Sequence, residues 1–175
     1  MTALFLFFAI YSFDFFSTLN KAPFVRVPKN VLPKIIELLD IKDNSVVYDL
    51  GCGDSRVLTE CYKYNSKAKY FGIEKAAIPY LLAKIKTRKT GVKILRGDFF
   101  KKDLSRATRI FLYLLPGTMD KLLPKLEKEL KNDALVVSCS FKFTDKQPVK
   151  IVKDEKELFV YEFRQDKTKM GQEVK

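Results

Sequence analysis

The stretch Val46-Val47-Tyr48-Asp49-Leu50-Gly51-Cys52-Gly53-Asp54-Ser55-Arg56 limits the folds open to this chain more than any other. Val46, Val47, Tyr48 and Leu50 suit a buried strand. Gly51 and Gly53 allow a sharp turn and a close approach of backbone to ligand. Asp54 or Ser55 then offers an N-cap for a helix beginning at Arg56. Strand, glycine turn and helix N-terminus in that order make a general site for nucleotide-type ligands.

The rest of the chain alternates between strand and helix. Residues 22–33 form a proline-punctuated connector, and Asn30 is placed to cap a helix over 31–40. Helices are expected over 56–65, 77–87 and 119–130, the second with Pro79 in its first turn. Strands are expected over 46–50, 68–74, 92–96, 109–115 and 134–140. The fourth, RIFLYLL, is almost continuously apolar, as a strand buried on both faces would be. Residues 149–152 and 158–163 leave no room between them for a helix and read as an antiparallel hairpin. The expected fold is α/β: a doubly wound, seven-stranded, mainly parallel sheet with a C-terminal antiparallel hairpin. Its ligand belongs at the carboxyl ends of the strands.

Composition excludes whole classes of chemistry. The chain has no histidine, which removes Ser-His-Asp and Cys-His catalysis and the usual histidine-bearing zinc sites. Cys52, Cys61 and Cys139 are scattered without CxxC spacing and read as reduced, buried thiols, so no metal site is expected. The formal net charge of +12 favours acidic partners, or serves only solubility, because no basic cluster stands out.

Residues 3–19 (ALFLFFAIYSFDFFSTL) are strongly apolar, with Asp14 the only charge. This run is at the short edge of what crosses a bilayer. It lacks the basic n-region and cleavage site of a secretory signal. Lys21, Arg26, Lys29 and Lys34 follow it, so the positive-inside rule places the downstream residues on the cytoplasmic side. The other reading is an apolar helix lying on the folded domain or the membrane surface.

The glycine turn narrows the ligand. A nicotinamide fingerprint wants a third glycine where this chain has Arg56. No phosphate-loop sequence is present. Asp49, directly before the turn, would repel a pyrophosphate but suits a ligand bearing an ammonium group.

At this point the residues resemble a known family. Asp49-Leu50-Gly51-Cys52-Gly53 is similar to motif I of the class I S-adenosylmethionine-dependent methyltransferases. VPKNVLPKIIELLDIK, VVYDLGCGDSRV, GIEK, ILRGDFFKKDL and LYLLPGTMDKLLPKLEKEL resemble a narrower group within that class. It comprises small prokaryotic methyltransferases and the mitochondrial lysine methyltransferases that modify an ATP synthase subunit or the adenine nucleotide translocase. The resemblance implies a Rossmann-like methyltransferase fold and S-adenosyl-L-methionine as cofactor. It places Asp49, Gly51 and Gly53 at the methionine and ribose end, with Cys52 in the cofactor site as a small filler between the glycines, and Glu74 on the ribose hydroxyls. Asp98 would read the adenine amino group with Phe99 beside the ring, and Ile73 and Lys75 would flank the adenosine. Tyr113, Leu115 and Pro116 would shape the opening toward the substrate. Two departures stand out: Ser55 replaces a frequent glycine, and Ala76-Ala77 follow Lys75 where Asn-Pro is common.

The resemblance implies methyl transfer to a protein lysine amine, with a protein substrate that includes membrane proteins among its candidates. The domain layout expected is 1–21 as an apolar helix and candidate membrane anchor, 22–163 as the methyltransferase domain, and 164–175 as a flexible basic tail. The expected location is the membrane, with the catalytic domain in the cytoplasm, or otherwise the cytoplasm. The alternatives are an RNA or small-molecule methyltransferase, or a non-catalytic basic module docking on membranes or nucleic acid. A nucleic-acid partner is disfavoured because Leu114-Leu115-Pro116-Gly117 replaces the polar Asn-Pro-Pro-Tyr type. No residue is assigned as general base.

Overall fold

A computed structural model describes residues 25–164. The apolar run 3–19 and its candidate anchor, and the tail from 165 onward, lie outside the described residues. Among the described residues, no helix is long and apolar enough to cross a membrane.

One sheet organises the chain. Its strands are β1 (Val46–Leu50), β2 (Lys69–Glu74), β3 (Val92–Arg96), β4 (Arg109–Leu112), β5 (Ala134–Cys139), β6 (Lys150–Lys153) and β7 (Glu157–Phe163). Their order across the sheet is β3-β2-β1-β4-β5-β7-β6. The first five are parallel, and β7 runs antiparallel to both β5 and β6. This is the expected seven-stranded sheet with its closing hairpin. The helices are α1 (Leu32–Leu39), α2 (Arg56–Tyr64), α3 (Ala77–Thr87) and α4 (Pro116–Glu129).

The period of two along each strand divides the core. Val47, Phe111 and Val137 face one layer, with Ile35 and Leu39 of α1 and Leu58 of α2. Tyr48, Ile110 and Val136 face the other, with Met119, Leu122 and Leu126 of α4. Both faces of the central strands are therefore covered, which is why β4 reads as an unbroken apolar run. By the same period Asp49 shares the face of Val47, a carboxylate placed where the pattern calls for an apolar residue.

Three expectations shift. Asn30 does not cap the first helix: a single 3-10 turn (Lys29–Val31) leads into α1, and the Asn30 amide donates instead to Glu155. Strand β4 ends at Leu112 rather than 115, so Tyr113, Leu114 and Leu115 leave the sheet. Helix α4 starts at Pro116 rather than 119, because proline favours the first helical position and forces the preceding Leu115 into extended backbone. The proline that seemed only to end a strand opens a helix.

Candidate active site

The chain enters the sheet at its centre, builds outward through β2 and β3, then returns to the other side of β1 for β4. That reversal parts the loops after β1 and β4 and opens a crevice at the carboxyl ends of the strands. A cleft of about 520 Å³ lies there. Its walls come from the ends of successive strands: Asp49, Gly51, Cys52 and Gly53 from β1, Glu74 and Lys75 from β2, and Asp98 and Phe99 after β3. Tyr113, Leu114 and Leu115 follow from β4 and Phe141 from β5.

The glycine turn is fastened to β2. Gly51 and Gly53 have φ of +78° and +55°, the left-handed region that glycine enters without steric cost. The Gly51 and Cys52 N–H groups both donate to the Ile73 carbonyl, at 2.9 and 3.1 Å. The Gly53 N–H donates to Glu74 Oε2 at 2.9 Å, and the Ala76 N–H donates to Glu74 Oε1 at 2.8 Å. Glu74 is thus a fixed carboxylate, each oxygen held by one backbone donor and keeping lone-pair capacity for a ligand.

Asp49 is the least compensated charge in the cleft. It is 3% exposed. No hydrogen bond to it from a described residue is present; what acts on it is burial together with the Glu74 and Asp54 carboxylates, which push its pKa up to about 8. A buried carboxylate among like charges is stable only protonated or beside a cation. A cationic ligand in the cleft supplies what the protein withholds.

Cys52 lines the cleft, but its thiol is turned against the sheet. A Cβ built on Gly72 would meet Cys52 Sγ at 2.6 Å, so the absence of a side chain at Gly72 makes the seat for this thiol. Burial, with the Asp49 charge, pushes the thiol pKa up, the opposite of an activated cysteine. Ile73 is fully buried and is not among the lining residues, so it offers the site its carbonyl rather than its side chain.

On the β3 side, Lys75 Nζ and Asp98 Oδ2 pair at 2.9 Å across the cleft wall. Asp98 Oδ1 accepts the Phe100 N–H at 3.0 Å and caps a short 3-10 turn. The Lys75 ammonium, and then that N–H, hold the Asp98 carboxyl below the usual carboxylate range. Asp98 is both a turn residue and a cleft residue. Phe99 is half-buried against the core and packs on Phe100 with ring centroids 4.8 Å apart.

On the β4 side, Tyr113 sits beyond the strand end and lines the cleft half-buried, whereas the sequence had put it inside a buried strand. Leu115 lines it and is 44% exposed. Pro116 is not among the lining residues; its ring begins α4, and Thr118, two residues on, reaches the cleft instead. Asp103 also lies outside the lining, with its Oδ1 taken by the Ser105 N–H at 2.9 Å.

Sequence reasoning missed Val25, Arg26 and Val27, which cross the cleft wall. Arg56 Nη1 donates to the Val27 carbonyl at 3.0 Å, and Arg26 Nε lies 3.6 Å from Asp54 Oδ2. No periodicity marks such a connector. Leu114 and Phe141 were missed too, although the rule that ligands sit at strand ends pointed to both. Among the described residues, no group of side chains could hold a metal ion.

Comparisons with known proteins point to a methyltransferase. A family model described as the ANTKMT methyltransferase domain matches residues 49–150. A protein-lysine N-methyltransferase of Saccharolobus islandicus is 37% identical over 139 residues, covering 76% of this chain and 85% of that protein. A human lysine N-methyltransferase named for an ATP synthase subunit is 27% identical over 125 residues, covering 69% of this chain and 52% of that protein. The chain thus spans about half the length of that relative. An RNA methyltransferase from Salinibacter ruber, solved with S-adenosyl-L-homocysteine, superimposes with a TM-score of 0.77 at 31% identity, covering 81% of this chain and 95% of that one. With more than half of its residues inside the matched model, the chain belongs to the ANTKMT methyltransferase domain family.

Proposed function

We propose that this methyltransferase moves a methyl group from S-adenosyl-L-methionine to a lysine amine of a protein. The observation that carries the cofactor is Asp49, a buried carboxylate facing the cleft with no cationic partner among the described residues. The lysine reading is supported by the Saccharolobus islandicus protein-lysine N-methyltransferase, similar over three quarters of this chain.

The cofactor, when bound, supplies a methyl carbon already activated by its sulfonium. Asp49 balances the positive charge of the methionine end, and the pinned Glu74 carboxylate accepts from the ribose hydroxyls. Asp98 and Phe99 hold the base, and Gly51, Gly53 and Cys52 let the backbone approach. Tyr113 and Leu115 stand at the mouth, with Pro116 behind them at the head of α4. Phe99, Phe100, Leu114, Leu115 and Phe141 make a largely apolar wall. A lysine ammonium has a reference pKa of about 10.4, and an apolar wall disfavours its charged form. The lysine would first lose a proton to water at the open mouth; the free amine would then take the methyl group, with S-adenosyl-L-homocysteine as the leaving group. Asp98 is committed to Lys75 and Phe100, so no carboxylate is assigned as base. Orientation by the walls can supply about 7 to 11 kcal/mol of the barrier.

The N-terminal run 3–19 fits a membrane anchor with the domain on the cytoplasmic side, which makes a membrane protein a natural substrate. A second reading, RNA methylation, has the Salinibacter ruber enzyme in its favour. Against it, Leu114-Leu115-Pro116-Gly117 presents no polar side chain to hold a base amine. Incubating the full chain with methyl-labelled cofactor and separated membrane, soluble-protein and RNA fractions tests both. Label recovered as methyl-lysine supports the proposal. Label confined to RNA overturns it.

A further inference from the structure

Helix α3 leaves a continuous apolar row bare. Ile78, Leu81, Leu82 and Ile85 are 53%, 58%, 42% and 54% exposed. At about 100° per residue they fall within an arc of roughly 100° on one side of the helix. Ala83 and Thr87, on the opposite side, are buried. Single exposed apolar side chains are ordinary; four in a row on one helix face are not. Both edges of the row are cationic. Exposed Lys86 flanks it on one side, and exposed Lys84 and Arg88 on the other. Apolar side chains bordered by cations on long stems match the interface between acyl chains and anionic headgroups.

The start of the described chain lies beside this helix. Arg26 Nε and Lys86 Nζ approach the same Asp54 Oδ2, at 3.6 and 3.4 Å. Residues 20–24 separate Val25 from the run 3–19, a reach of at most about 22 Å. Residues 3–10 of that run (ALFLFFAI) are apolar without a break, more surface than one row on α3 can cover, whereas lipid covers all of it.

We infer that the row Ile78, Leu81, Leu82 and Ile85 is a membrane contact, seated in an anionic lipid surface beside the N-terminal run. The inference rests on the membrane reading of residues 3–19 and adds a second point of attachment. Two contacts fix orientation where one anchor leaves the domain free to swivel. Ala76 and Pro79 at the head of α3 line the cleft, so a seated helix holds the cleft at headgroup level. Lysines flanking a membrane segment of a substrate lie at that level.

The chain has no tryptophan, so an introduced one is a sole reporter. Full-length Leu81→Trp and, separately, Phe8→Trp are mixed with vesicles of phosphatidylcholine and phosphatidylglycerol carrying brominated acyl chains. The expected result is a blue shift and loss of most emission for both, with the Leu81→Trp signal weakened in pure phosphatidylcholine or high salt. Quenching of Phe8→Trp alone overturns the α3 contact and leaves the anchor standing. Quenching of neither overturns both. A Leu81→Trp emission already blue-shifted without vesicles overturns the lipid assignment. Doubled mass in sedimentation would then name a second copy as the occupant, and unchanged mass the run 3–19.

Discussion

The Glu74 carboxylate bridges two backbone donors from different elements: Oε2 takes the Gly53 N–H at 2.9 Å and Oε1 the Ala76 N–H at 2.8 Å. One side chain at the end of β2 therefore sets both the glycine turn and the entry to α3. Glutamine at this position keeps a single acceptor oxygen, so one of the two N–H groups faces an amide donor. Glu74→Gln is expected to lose about 1 to 3 kcal/mol of stability in urea denaturation. It should also weaken S-adenosylmethionine binding more than tenfold. Titration calorimetry reads the second effect, and wild-type affinity in the variant would remove Glu74 from the site.

Asp49 makes a prediction about pH. Its carboxyl titrates near 8 in the folded chain and near 3.9 when unfolded. The folded state therefore holds an extra proton between these values, and stability falls as pH rises from about 4 to 8. At pH 7 the cost is on the order of 4 kcal/mol. Asp49→Asn removes it, so the ligand-free variant should melt higher than wild type at pH 8, with the gap closing toward pH 4. The same substitution removes the charge proposed to meet the cofactor's cation. Wild-type affinity should rise between pH 6 and 8, with proton release visible as buffer-dependent enthalpy, while the variant stays weak throughout. A melting difference that is flat across this range would show that the carboxylate is not protonated in the free protein.

Most of this architecture is legible in the sequence, and the reasons are local. Helix α3 and strand β3 begin and end where their periodicity stops. The strand ends Asp49, Glu74 and Asp98 converge because a parallel sheet carries its loops on one edge. What was illegible depends on contacts distant in sequence. Asn30 carries a capping residue's side chain but is drawn to Glu155, 125 positions away. Tyr113 has strand propensity, yet β4 ends at Leu112 and leaves it beyond the sheet. The Val25–Val27 segment is held by Arg56 and Asp54, neither of which marks its own sequence as part of a wall. Cys52 read as a cofactor neighbour, and only the contact with Gly72 shows which way its thiol points.

Ser55 carries two burdens that glycine would not. Its φ is +61°, and its buried Oγ has no hydrogen-bond partner among the described residues. The first accounts for the glycine frequent at this position in the class the chain resembles. Ser55→Gly relieves the left-handed strain and removes the orphan hydroxyl, each worth about 1 kcal/mol or more. Against these stands a loss of about 0.4 to 1 kcal/mol from the freer unfolded chain. The net gain should be about 1 kcal/mol, or roughly 2 to 4 °C in Tm. Scanning calorimetry checks it, and a lower Tm would show that the hydroxyl has a use in the folded chain.

Gly72 and Cys52 should behave as one unit. An added Cβ at Gly72 lies 2.6 Å from Cys52 Sγ and 2.9 Å from Ile94 Cδ1. The sulfur cannot retreat into the sheet, so Gly72→Ala must lift Cys52, and with it the turn whose N–H groups bind Ile73 and Glu74. Overpacking of this kind costs about 1 to 3 kcal/mol, and the displaced turn should lose cofactor affinity as well. Cys52→Ala removes the sulfur and leaves the Cys52 Cβ contact at 3.1 Å and the Ile94 Cδ1 contact at 2.9 Å, the latter to the far end of a flexible side chain. Alone it should be mild. Combined with Gly72→Ala it should restore about half or more of both stability and binding, a coupling of 0.5 to about 3 kcal/mol of the kind seen between touching residues. Urea denaturation and cofactor titration on the four proteins of the cycle measure it. Additive losses would mean that the thiol does not rest on Gly72, and that the glycine turn keeps its shape for another reason.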